Sequence, residues 1–137
     1  MSIQERLTDA DVLWNSGRRE GALFNMLIAV AALARSEFPR LGDGDAFRTF
    51  LGDNHDWSIS VEHRGEQISV DQLFWKWVRC EVAHVGALPL DVQFFAPEND
   101  TDDLRIQAGG APEYCVRLSD GWYRWLRSLA VNTLTTR

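Results

Sequence analysis

The hydrophobic rhythm of the chain divides it into elements. Ile3, Leu7, Ala10 and Trp14 recur every three or four residues, the period of one face of an α-helix. Ser2 with Glu5 forms a capping-box pattern at its start, and Gly17 predicts its end. A second helix is predicted from about Arg19 to Glu37, stopping before Pro39. Between Ala22 and Ala34 it is apolar on nearly every side, with Asn25 as the interruption. Such a helix is buried from several directions and belongs at the centre of a fold. Its apolar run is too short to span a bilayer. Gly42-Asp43-Gly44-Asp45 reads as a loop feeding a short helix with Phe47, Phe50 and Leu51, closed by Gly52.

The period then changes from about 3.6 to 2. Trp57, Ile59 and Val61 alternate with polar residues, His63-Arg64-Gly65-Glu66 makes a turn, and Ile68 and Val70 continue, which predicts a β-hairpin. Ser69 with Gln72 is a second capping-box pattern, opening a helix from Val70 to about Val85 that Gly86 and Pro89 terminate. Three short strands are predicted at Asp91–Ala96, Leu104–Ala108 and Glu113–Leu118, forming a small antiparallel insertion. Asp120 is the expected cap of a last helix, from Gly121 to about Leu134, with Trp122, Trp125, Leu126 and Leu129 on its apolar face. The order of elements argues against a parallel α/β sheet and for an α+β fold, predominantly helical. With neither repeat nor linker, residues 1–137 read as a single domain.

Charge and cysteine content narrow the functional classes. A net charge of −6 disfavours non-specific nucleic-acid binding but leaves room for a small basic cleft. Thirteen of the fourteen cations are arginine, which suits phosphate recognition, although codon bias produces the same count. The opening MSIQERLTDADV lacks a basic stretch followed by an apolar run, so no secretory signal is expected and a cytoplasmic location follows. Cys80 and Cys115 are then expected as reduced thiols. Cys80 and His84, at i and i+4, with Cys115 as a third ligand, make a zinc set that lacks a fourth member; neither metal nor cofactor is predicted. Asp43 and Asp45 lack the downstream glutamate of a calcium loop, and the acidic stretch with Glu98, Asp100, Asp102 and Asp103 reads as solvated. There is no phosphate-binding glycine loop and no nucleophile elbow.

The helix after Val70 carries the chemical signal. With about 100° per residue, Leu73, Phe74, Trp75, Trp77, Val78, Cys80, Val82 and Val85 cover a wide apolar arc, and Gln72, Lys76, Arg79 and Ala83 fall on a narrow strip. Glu81 and His84 lie inside the arc, where burial without a partner costs on the order of several kcal/mol. Three residues apart, they can partner each other, the carboxylate orienting the imidazole. A plainer reading makes His84 a cation near a helix C-terminus and Arg79 a solvated surface charge.

The segment Phe74-Trp-Lys-Trp-Val-Arg79-Cys-Glu-Val-Ala-His84-Val-Gly86 resembles the motif helix of HEPN domains. The resemblance implies a HEPN-like helical bundle covering about Asp9 to Gly86 and the last helix, with the hairpin and a strand insertion at about 91–118 as additions. It implies Arg79 and His84 as catalytic residues, with Glu81 and Cys80 as supporting ones. Many active members carry a polar residue, often Asn, where this chain has Cys80. Active members are metal-independent ribonucleases that work as dimers, in toxin–antitoxin, phage-defence and RNA-processing systems. The expected partners are therefore a second copy of the chain, RNA, and a protein partner such as an antitoxin, and not a membrane. Histidine suits proton transfer near neutrality, and arginine offers a planar fork to phosphate oxygens. A second arginine–histidine pair, Arg48 with His55, reads as an accidental match. The competing readings are a non-catalytic dimeric interaction or regulatory module, with Trp75, Trp77, Trp122 and Trp125 as contact residues, and a small-ligand binding domain.

Overall fold

The computed structural model describes residues 2–63, 65–78, 92–95, 104–108 and 116–136. Among them are helices α1 (Ile3–Asn15), α2 (Arg19–Glu37), α3 (Asp43–Gly52), α4 (Val70–Lys76) and α5 (Gly121–Thr135). The strands are β1 (Ser60–His63), β2 (Glu66–Ser69), β3 (Val92–Phe95), β4 (Ile106–Ala108) and β5 (Val116–Ser119).

Both capping signals act as read. The Ser2 hydroxyl accepts from the Glu5 amide at 3.1 Å, and that of Ser69 accepts from the Gln72 amide at 3.2 Å. Each satisfies one of the amides that a helix start leaves without a partner. Asp120 behaves differently. It precedes α5, but its side chain caps no amide and instead accepts from the Arg19 guanidinium at 2.6 Å. A charged partner with better geometry outcompetes the capping bond.

Helix α2 is the central element, packed by α1, α3 and α5. Leu23, Met26, Leu27, Val30 and Leu33 are buried completely, each contributing about 1.5–3 kcal/mol relative to exposure. Asn25 is tolerated there because its amide donates to the Gly21 carbonyl at 2.9 Å and its carbonyl accepts from Arg6 at 2.8 Å. Helix α4 buries Val70, Leu73, Phe74 and Trp77. Over these described residues it packs chiefly on α3. Just past its end, at Trp77–Val78, the helix widens into a π-turn, a feature that recurs at functional sites.

The hairpin pairs Val61 with Ile68 and His63 with Glu66, and Gly65 supplies the positive φ of 83° that its turn requires. The second sheet corrects the expected antiparallel insertion. Its order is β3-β5-β4, with β4 antiparallel and β3 parallel to β5. The connection from β3 to β5 is long enough for the crossover that parallel pairing demands. Val116 and Leu118 of β5 join the same buried cluster as the helices. The sheet is thus a wall of the core. No described helix is long and apolar enough to cross a membrane.

Candidate functional site

Helices α3 and α4 meet through small residues. Gly44, Arg48 and Gly52 stand four apart along one face of α3, as Asp71 and Trp75 do on α4. A methyl group on Gly44 would lie 2.7 Å from the Trp75 indole nitrogen and 3.2 Å from an Arg48 guanidinium nitrogen. One on Gly52 would lie 3.8 Å from an Asp71 carboxylate oxygen. The helices therefore run antiparallel, with Trp75 at one end of the contact and Asp71 at the other.

The Trp75 end is open. A cleft of about 690 Å³ is lined there by Arg35 of α2, by Asp43, Asp45 and Arg48 of α3, and by Trp75 with Val78, and the Trp75 indole lies directly against the side-chain-free Gly44. Trp75 is half-buried, held by Phe47 with ring centroids 5.4 Å apart. Arg48 donates to Asp45 at 2.8 Å, and the Arg35 guanidinium stands 3.3 Å from the Asp43 carboxylate. Asp43 and Asp45, expected in a loop, occupy the first turn of α3, where the helix dipole favours negative charge. The Arg35–Asp43 pair is 66% and 63% exposed. An ion pair so hydrated contributes about 0–1 kcal/mol and exchanges readily for another anion.

The Asp71 end is closed. His55 sits in the connection after α3 and presents Nε2 to both Asp71 carboxylate oxygens, at 3.1 and 3.0 Å. A carboxylate needs a donor, so Nε2 carries the hydrogen. The two side chains are 10% and 16% exposed. The imidazole stacks on Trp57 at 3.5 Å and 4°, and Trp122 and Trp125 meet Trp57 at 5.5 and 5.6 Å. Among the described residues His55 Nδ1 has no hydrogen-bond partner, and it is buried. This dyad escaped the sequence reading, which linked His55 to Arg48. Each of those residues has its own carboxylate, Asp71 and Asp45 respectively. Sixteen residues separate His55 from Asp71, and no local pattern joins them.

Arg79, Cys80, Glu81 and His84, the residues singled out from the sequence, lie outside the described residues, as does Cys115. Among the described residues no three of His, Cys, Asp and Glu come together as metal ligands. Of the four tryptophans considered as contact residues, Trp77 and Trp122 are completely buried and are core residues instead. Trp75 and Trp125 are half-buried. The Trp122 indole donates to the Arg105 carbonyl at 2.9 Å, tying α5 to the chain before β4. His63, read as a turn residue, is 1% exposed and meets Trp77 edge-on at 6.4 Å.

A further polar cluster closes the α1–α5 seam. Asp11 accepts from the Tyr123 hydroxyl at 3.0 Å and from Arg127 Nε at 2.8 Å. Burial first, and the Asp11 charge second, hold the Tyr123 phenol well above its ordinary pKa of 10.0. The Tyr123 ring also stacks on Trp14 at 4.2 Å. These groups fasten helices and face no cleft described above.

No family model matches the chain, and no curated protein and no solved structure is significantly similar to it. The likeness of the segment around Arg79 and His84 to a HEPN motif helix stands on those residues alone.

Proposed function

We propose that this chain binds single-stranded RNA in the cleft between α2, α3 and α4 and cleaves it without a metal, through Arg79 and His84. One observation carries the reading. Two guanidiniums, each in an exposed pair with an aspartate, and the Trp75 indole line a cleft that reaches Val78, the residue before Arg79. Bases stack on indole faces whatever their identity, and guanidiniums take phosphate. With a net charge of −6, binding depends on phosphate displacing Asp43 and Asp45 from the two cleft guanidiniums they pair with, rather than on a basic surface. His84 would take the 2′-hydroxyl proton as the 2′-oxygen attacks phosphorus, Arg79 would stabilise the pentacoordinate phosphate, and the P–O5′ bond would break with the leaving 5′-oxygen protonated by water. The two are five residues apart, about 140° around a regular helix. A two-fold axis that brings one copy's Arg79 to its partner's His84 resolves that divergence, so the working form is a homodimer. An RNA-cleaving domain of this size fits a growth-arresting toxin held by a protein partner.

The test is incubation of purified protein with labelled RNA in EDTA. Expected are cleavage with 2′,3′-cyclic phosphate ends, no cleavage of DNA, no activity in His84→Ala and a strong loss in Arg79→Ala. Activity lost in EDTA and restored by a divalent ion contradicts the chemistry. A second reading, a non-catalytic interaction module, is favoured by the engagement of both cleft arginines with Asp43 and Asp45. It predicts cleft-dependent binding and intact RNA.

A further inference from the structure

Beside the α3–α4 cleft lies a second hollow of about 460 Å³, lined by Phe38, Pro39 and Leu41. Arg35 and Asp43 line both. The two hollows adjoin at the exposed Arg35–Asp43 pair, with Trp75 lining one and Phe38 the other. Both volumes fall within the range of about 300–1,000 Å³ typical of small-ligand sites. Phe38 is half-buried and Leu41 is 43% exposed, so each offers apolar surface to the groove.

We infer that the groove takes a two-nucleotide step of single-stranded RNA. One base lies against Trp75, which Gly44 allows to sit close on α3. The next lies in the Phe38–Leu41 hollow, and the phosphate between them sits on Arg35. This inference rests on the RNA reading and deepens it by giving the length and strandedness of the ligand. Charge and shape support this occupant. An arginine between two apolar hollows matches a ligand that alternates flat bases with a phosphate. The phosphate replaces Asp43, whose exposed pairing to Arg35 is weak. A duplex cannot enter in this way, because its bases are stacked on each other and withdrawn from the groove.

Competition against a labelled single-stranded 12-nucleotide 2′-O-methyl RNA of mixed sequence, which cannot be cleaved, tests the inference. Competitors are mixed mononucleotides, dinucleotides, tetranucleotides and a duplex, all with 2′-O-methyl riboses so that none is cleaved. Dinucleotides are expected to compete about tenfold or more better than mononucleotides, the gain of one further stacked base. Tetranucleotides should add little, and the duplex should fail. Phe38→Ala should erase the dinucleotide advantage. Since Phe38 also packs against the core, the exposed substitution Leu41→Ser provides the same readout with less risk to folding. Equal affinity for mono- and dinucleotides, with the 12-nucleotide RNA still bound, overturns the two-base groove and leaves the RNA reading standing. Failure of the 12-nucleotide RNA to bind at all removes both.

Discussion

The two ends of the α3–α4 contact contain similar chemistry in opposite surroundings. Each sets a nitrogen cation or imidazole against an aspartate beside a tryptophan. At one end His55 and Asp71 are closed in by Trp57 and Trp125. At the other, Arg35 and Arg48 hold Asp43 and Asp45 in the open, with Trp75 alongside. Polar groups withdrawn from water depend on each other, since removing one leaves the other unsatisfied in a medium that penalises it. Hydrated pairs can separate at little cost and are free to bind something else. Accessibility, more than residue type, separates a clamp from a candidate binding site.

The largest expected effect comes from breaking the closed end. His55→Ala removes the ring stacked on Trp57 and strands the Asp71 carboxylate, so urea denaturation should show a loss of about 2–4 kcal/mol. A loss below about 0.5 kcal/mol would mean that the dyad is as dispensable as a surface pair. Any activity loss in this variant therefore has to be read against its folded fraction, and His55 is no neutral control for His84.

Gly44→Ala breaks the open end more gently. Alanine is the better helix former by roughly 0.5–1 kcal/mol, but its methyl would stand 2.7 Å from the Trp75 indole and must push it aside. Stability should change by less than about 1 kcal/mol while RNA affinity falls about tenfold, the value of one stacked base. Gly52→Ala is the matched control, because it lies on the same helix outside the cleft and a methyl group there meets only an Asp71 oxygen at an ordinary contact distance of 3.8 Å. If the two alanines affect binding equally, Trp75 is not the platform.

Periodicity and capping made much of this fold legible in the sequence. The ends of α2 and the hairpin turn follow from Pro39 and from Gly65 in the left-handed region. His63 was legible too, since it is two residues from Val61 on the same buried face of β1. The parallel pairing of β3 with β5 was not legible, because strand period is the same in either direction. The proximity of His55 and Asp71 depends on the close approach of α3 and α4, and the glycine stripe that permits it has no distinctive local pattern. The cleft was hidden for a similar reason. Arg35, Arg48 and Trp75 come from three helices, and each alone reads as an ordinary surface or core residue. Arg79 and His84 carry the sequence signal for chemistry but lie outside the described residues.

The most direct test of the open-site, closed-clamp division measures two variants twice. Arg48→Ala and His55→Ala are each assayed for unfolding free energy and for RNA affinity at a temperature where both are folded. Arg48, in an exposed pair with Asp45, should lose less than about 0.5 kcal/mol of stability and most of its RNA affinity. His55→Ala should lose about 2–4 kcal/mol, while its folded fraction binds RNA as the parent does. The contradictory result is the reverse pattern, with folded His55→Ala unable to bind RNA and Arg48→Ala binding it unchanged.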